Sequence, residues 1–366
     1  MKHSLATTAL ACSLSLTAFG ASADTTLVYG SWAPSTDPFS RAFPAFAEQV
    51  AAQSGGEIAF ETHFDSSVVQ MRTVLSAIDD DLVDAGYIAG SVYQAELPIE
   101  SIIANYSSIE SNPWALSAAM TEVLTRDCDD CATQYDRYGI VPLAYGATPH
   151  FYLMCRDAIE GFSDLEGKSI RAASGNLSFP PFIGAVPVST PTVEVFEAMQ
   201  RGQVECAMGS IFWLQSYSLW DVVDYVLDMP VGQYNNGLIL AFNKDRWEDL
   251  PDAHREAISA SVPAFIAEAA ATGTAMAEEV RAASIERGVV WAEPSAEMRE
   301  TMQAWFASKR DEVAEYGVGL GVEATPQLLE QVEAKTAEWN ARVDALGSDK
   351  DAFLAALTEA LEASAN

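Results

Sequence analysis

The sequence predicts an α/β chain folded as two lobes with a cleft between them, followed by a helical C-terminal region. Three observations predict this. A chain of 366 residues is long enough for two domains of ordinary size. Short apolar strand candidates alternate with helical stretches over the first two thirds. The last third is rich in Ala and Glu and reads as helix almost throughout. No heptad array, short-period repeat or low-complexity linker interrupts the pattern.

The first 23 residues read as a targeting segment. Lys2 and His3 form a basic start, and Leu5 to Ala18 is apolar but too short and too broken by Ser and Thr to span a bilayer. Ala21-Ser22-Ala23 fits a small-residue cleavage site, so the mature chain is expected to begin near Asp24 and to be exported, with Cys12 discarded. No later apolar run is long enough to insert into a membrane. The strand candidates that follow are Thr26–Gly30, Ile58–His63, Ala85–Ile88, Val141–Ala144, Phe151–Met154 and Leu238–Asn243. Ala257 to Gly288, Pro294–Glu315, Pro326–Leu346 and Asp351–Glu362 read as helices.

The most informative stretch runs from Phe162 to Gly209. Asp164 to Lys168 make a polar turn around Gly167, and Ser169 to Ala172 start an extended run that contains Arg171. Thr190 reads as a helix cap, Pro191 as the first helical residue and Glu194 as a first-turn acid. Val193, Phe196 and Met199 give the apolar face, Gly202 the stop, and Val204 to Met208 the next strand. A lone Arg beside the small residues Ala172 to Gly175 can present a bidentate fork to a carboxylate.

The formal net charge is −32, and becomes −33 once residues 1–23, with the single charge of Lys2, are removed. A chain this acidic repels nucleic acid and anionic membrane surfaces, which excludes them as partners. Four cysteines remain after cleavage. In an oxidising compartment an even count points to disulfides. Cys128 and Cys131 have two Asp residues between them, which disfavours a reactive thiolate and favours a structural bridge. Cys155 and Cys206 lie in separate strand candidates and can bridge if those strands are neighbours.

Groups for catalysis are few. His63 and His254 read as a strand and an exposed-helix residue, and no HExxH, phosphate loop, GxGxxG turn or nucleophile elbow is present. Asp79-Asp80-Asp81 lacks calcium-loop spacing and reads as a solvated helix end. No cofactor, metal or enzyme activity is expected. A binder needs a cleft with a few polar groups among apolar walls, closed by a hinge. Trp32, Tyr87, Phe212 and Trp213 stand at strand ends and are the candidate walls. Trp220 and Trp247 read as packing residues.

The turn and strand Asp164-Leu165-Glu166-Gly167-Lys168-Ser169-Ile170-Arg171 carry a resemblance, as does the run from Glu194 to Glu205. With residues 56–88 and 235–258, they resemble the periplasmic solute-binding component of tripartite ATP-independent periplasmic (TRAP) transporters, of the dicarboxylate-receptor type. The resemblance implies a periplasmic-binding-protein fold that captures a small organic acid by hinge closure and delivers it to membrane permease subunits. It implies that Arg171 pairs with the ligand carboxylate, and that one long helix, here Ala257–Arg287, braces both lobes. The expected boundaries are 24–148 for the first part of lobe I, 149–234 for lobe II, 235–275 for the return to lobe I, and 276–366 for the bracing helices.

The chain also departs from the family. His150 stands near the place of a second Arg, Gly209 where an Asn is common, and Trp32 where the first strand often has Asn. A pocket with fewer polar and more aromatic groups favours a branched or aromatic acid. A zwitterion or cationic amine also fits, because Trp and Tyr faces attract cations. His150 and Asn236 are candidates for further hydrogen bonds. A receptor for an ATP-driven importer or a membrane sensor would have a similar architecture, and a secreted metal-dependent enzyme using His150 or the cysteines is the alternative from another class.

Overall fold

The computed structural model describes residues 23–106, 111–347 and 349–363. Residues 1–22 of the expected targeting segment, Cys12 included, lie outside them. Among the described residues the strands are β1 (Thr25–Gly30), β2 (Ile58–His63), β3 (Ala85–Ala89), β4 (Ile140–Gly146), β5 (Phe151–Cys155), β6 (Ser169–Ala172), β7 (Val186–Ser189), β8 (Cys206–Ser210), β9 (Tyr225–Leu227), β10 (Gly237–Asn243) and β11 (Val290–Ala292). The helices are α1 (Pro38–Gln53), α2 (Val74–Asp79), α3 (Pro98–Asn105), α4 (Pro113–Arg126), α5 (Asp129–Arg137), α6 (Phe179–Phe182), α7 (Val195–Gln200), α8 (Trp213–Ser216), α9 (Lys244–Asp249), α10 (Asp252–Glu286), α11 (Ala296–Gly319), α12 (Thr325–Leu346) and α13 (Lys350–Ala363).

The strands form a five-stranded sheet in the order β2-β1-β3-β10-β4 and a six-stranded sheet in the order β11-β9-β5-β8-β6-β7. β1 runs parallel to β2 and β3, and β10 inserts antiparallel between β3 and β4. The chain therefore leaves the first sheet after β4, builds most of the second, and returns with β10. The two crossing segments are tied to each other: Thr148 N–H donates to Tyr234 O at 2.8 Å and Phe151 N–H to Gly232 O at 2.7 Å.

Side-chain alternation explains how the first sheet is covered. Ala85, Tyr87 and Ala89 of β3 join one core with α1, α10 and α13, whereas Ile88 joins another with α2, α3 and α12. α1 starts at an Asp-Pro pair: the Asp37 carboxylate caps the Phe39 N–H at 3.0 Å and Pro38 needs no partner. Its Phe39, Phe43, Phe46 and Val50 repeat at helical spacing and are buried. α10 has 35 residues, roughly 50 Å of helix. Ala257 to Ala270 pack in the first sheet's core, and Met276 and Val280 in that of the second.

All six strand candidates of the sequence are strands. The short β7, β9 and β11 were not foreseen; they complete the second sheet at its two edges. Thr190 does not cap a helix. α7 begins only at Val195, after a single 3₁₀ turn over Thr192–Glu194, and Val193 is exposed. His254, expected on an exposed face, is buried with its Nε2 3.0 Å from Glu57. Trp220 and Trp247 are packing residues, with Arg287 stacked on Trp220 and Phe242 against Trp247.

Cys128 is bonded to Cys131, and Cys155 to Cys206. The second pair sits at directly opposed positions of antiparallel β5 and β8. No helix among the described residues is long and apolar enough to cross a membrane. Non-reduced mature protein, unfolded and treated with a thiol alkylator, is expected to take up no label at these four cysteines, and to take it up at all four after reduction. Labelling without reductant would contradict the two bridges.

Candidate functional site

A cavity of about 440 Å³ lies between the two sheets and is lined from both sides. The first sheet and its loops contribute Trp32, Asp37, Phe39 and Tyr87; the second contributes Phe151, Arg171, Phe212, Trp213 and Tyr217. Tyr316 of α11 closes one side and hydrogen-bonds Ser101 at 2.9 Å. Loops of the two sides touch at the rim. Ser216 Oγ donates to Thr36 O at 3.4 Å, and Gly175 packs so closely on Asn105 that a Cβ would stand 1.8 Å from its carbonyl oxygen.

Arg171 is 2% exposed, on β6 between β8 and the edge strand β7. Its Nε donates to Thr190 O at 3.0 Å, one terminal nitrogen to Met208 O at 3.2 Å and the other to Thr192 Oγ1 at 3.3 Å. All three acceptors are neutral. A guanidinium has five N–H donors, so one on each terminal nitrogen is left for a ligand. Burial without a carboxylate beside it pulls the Arg171 pKa down to about 10, which leaves it fully charged at neutral pH. Thr190, expected as a cap, instead supplies a carbonyl to this side chain.

The Trp213 ring covers the guanidinium at 5.0 Å. It can lie there because residue 209 is Gly: a Cβ on Gly209 would meet the Trp213 ring at 2.0 Å. Gly209 thus acts beneath the wall and is not part of its surface. Phe151 and Tyr217 flank Trp213 at 5.6 and 5.9 Å between ring centroids. On the opposite wall Trp32 stacks on Tyr87 at 4.9 Å, with Phe39 edge-on to Tyr87 at 5.6 Å. The buried Trp32 Nε1 has no hydrogen-bond partner among the described residues.

Trp32, Tyr87, Arg171, Phe212 and Trp213 are thus brought together, whereas His150 and Asn236 are not. His150 faces a separate cavity of about 260 Å³ with Trp114, Tyr152, Arg281 and Trp291, and burial lowers its pKa. Asn236 is buried below the cleft floor. Its Nδ2 donates to Glu100 Oε2 at 2.8 Å, and the Tyr135 and Tyr145 hydroxyls donate to Oε1. Asp37 was missed by the sequence reading. It lines the cavity at 6% exposure, and burial pushes its pKa up to about 7. Its Asp-Pro cap was legible; its place in the cleft depends on how α1 packs.

The geometry defines a solute-binding cleft, and the comparisons agree with it. The model of the bacterial extracellular solute-binding protein, family 7 (DctP), matches residues 29–316, and the chain belongs to this family. The TRAP receptor resemblance in the sequence holds at this level. Solved structures with the same fold include a Rhodoferax ferrireducens TRAP solute-binding protein in complex with copurified benzoate. It is 18% identical at a TM-score of 0.75, over 87% of this chain and 99% of that one. A marine metagenome TRAP solute-binding protein in complex with 3-hydroxybenzoate matches at 18% identity and TM-score 0.75, over 87% and 100%. A Bordetella pertussis extracytoplasmic solute receptor binding pyroglutamic acid matches at 20% and 0.70, over 84% and 99%. Among the described residues no group of three or more His, Cys, Asp or Glu is placed to hold a metal ion.

Glu100 gives the site subsurface a pH signature. Burial raises its pKa from 4.5 to about 7, although Tyr135, Tyr145 and Asn236 all donate to it. The folded protein therefore holds a proton that the unfolded chain releases between these values. This contribution is fully present below pH 4.5 and is lost as pH rises through about 7. Denaturation of Glu100→Gln against the parent is expected to show a loss of stability over this window in the parent that the variant lacks. Parallel curves would contradict it.

Proposed function

We propose that this chain captures a small organic acid in the cleft by closure of the two lobes and hands it to the permease subunits of a TRAP transporter. One observation carries the reading. Arg171 is a buried cation with neutral protein partners, two free N–H groups and an open cavity in front of it. A carboxylate matches that fork in charge and shape. The aromatic side chains Trp32, Tyr87, Phe212 and Trp213 supply apolar walls for the rest of the acid, and the ligands of the three related structures, benzoate, 3-hydroxybenzoate and pyroglutamic acid, are each small acids.

The working division into lobes is 24–148 and 235–275 for the first and 149–234 for the second, with 276–366 as the brace. It is supported by β10 lying in the first sheet and by the paired crossing segments near residues 148 and 234; α10 carries the chain across once more, to β11 of the second sheet. Those segments are the natural hinge. Export with cleavage near Ala23 fits the family's extracellular setting, and the role is one of binding and delivery without catalysis.

Arg171→Ala is expected to abolish measurable binding of the cognate acid, a loss of roughly 2–5 kcal/mol. Its circular dichroism should remain that of the parent. Arg171→Lys should recover only part of the affinity, because an ammonium cannot make the bidentate pair. Unchanged affinity in Arg171→Ala, read by calorimetry, would overturn the carboxylate anchor.

A further inference from the structure

The cleft holds a second buried ionisable group, which an organic acid alone does not use. Asp37 is nearly as buried as Arg171 and projects from the opposite side of the cavity. Its Oδ1 caps the Phe39 N–H at 3.0 Å, and it has no cationic partner among the described residues. It makes no ion pair with Arg171. Burial raises the pKa of the nearby Tyr217 hydroxyl, with Asp37 adding to the rise and Arg171 opposing it. Asp37 lines the same pocket as Trp32, Phe39 and Tyr87, whose stacked and edge-on rings form the wall that faces Arg171 and Trp213.

Capping α1 does not by itself need a charge there, since Ser, Thr and Asn cap as well. A buried carboxylate is expensive unless something cationic joins it. Aromatic faces beside a carboxylate are also a preferred setting for a substituted ammonium. The cavity thus offers a cation on one wall and, on the other, a carboxyl group beside aromatic faces that a ligand cation would hold in its ionised form.

We propose that the ligand is zwitterionic: its carboxylate lies on Arg171, and its ammonium or cyclic secondary-amine group lies against Asp37 beside the rings of Trp32, Phe39 and Tyr87. This deepens the reading of the cleft as an acid-binding site and rests on it. It narrows the substrate class from organic acids in general to amino acids carried as zwitterions, with N-alkylated and cyclic members best suited to the aromatic wall.

The test uses pairs of equal shape that differ in one charge. Glycine betaine is compared with 3,3-dimethylbutanoate, and pipecolate with cyclohexanecarboxylate, by calorimetry on the mature protein. The zwitterion of at least one pair is expected to bind on the order of tenfold or more tighter than its isostere. Asp37→Asn, which keeps the helix cap, should remove that preference, so that the zwitterion no longer binds tighter than its plain-acid isostere. Equal or tighter binding of the plain acids by the parent overturns the proposal while the Arg171 anchor stands. So does an undiminished preference in Asp37→Asn, or no binding of any of the four. Arg171→Ala separates the two readings: zwitterion binding that survives it undermines the carboxylate anchor and not the role of Asp37.

Discussion

The interaction on which the site depends is a buried guanidinium satisfied only in part. Arg171 donates to Thr190, Met208 and Thr192, and among the described residues no carboxylate pairs with it. Those three acceptors fix its plane, and the Trp213 ring covers it at 5.0 Å. Leaving a charge in such a place destabilises the empty protein, since desolvation is only partly offset by neutral dipoles. In the proposed reading that cost is recovered when an anion arrives, so the same geometry that weakens the empty fold would strengthen binding and select for a negative charge.

The fold exists to bring this side chain opposite a wall from a different sheet. β10 returns to the first sheet and α10 packs in the cores of both, so the two halves are joined by few segments but share one long helix. The cleft walls then depend on residues too small to interfere. Gly209 lets Trp213 lie flat, and Gly175 lets a loop of the second half rest on the Asn105 backbone. Below the floor, Glu100 collects hydrogen bonds from Tyr135, Tyr145 and Asn236, which ties α3, α5, β4 and the chain just before β10 into one unit under the binding surface.

Much of the architecture was legible because it is written in local pattern. Strands such as Ile58–His63 and Leu238–Asn243 are short apolar runs bounded by turn residues, and the long helix declared itself by composition. Arg171 was legible because a charge inside an apolar run has few structural uses. What failed required knowledge of neighbours distant in sequence. His150 and Asn236 sit beside the crossing segments, and only packing decides which cavity each one faces. Thr190 has a cap's side chain and a cap's position, but its carbonyl is drawn to Arg171 and the helix starts later. Asp37 reads locally as a helix cap, which it is; that it is also a wall of the cleft follows from contacts made by α1 after folding.

The most direct measurement is a crystal structure of the protein with a ligand found by screening small acids and zwitterions. The account predicts a ligand carboxylate within hydrogen-bonding distance of both terminal nitrogens of Arg171, with its body between the aromatic walls of the two lobes. A tightly bound ligand whose acidic group lies elsewhere, or one with no acidic group at all, would contradict it.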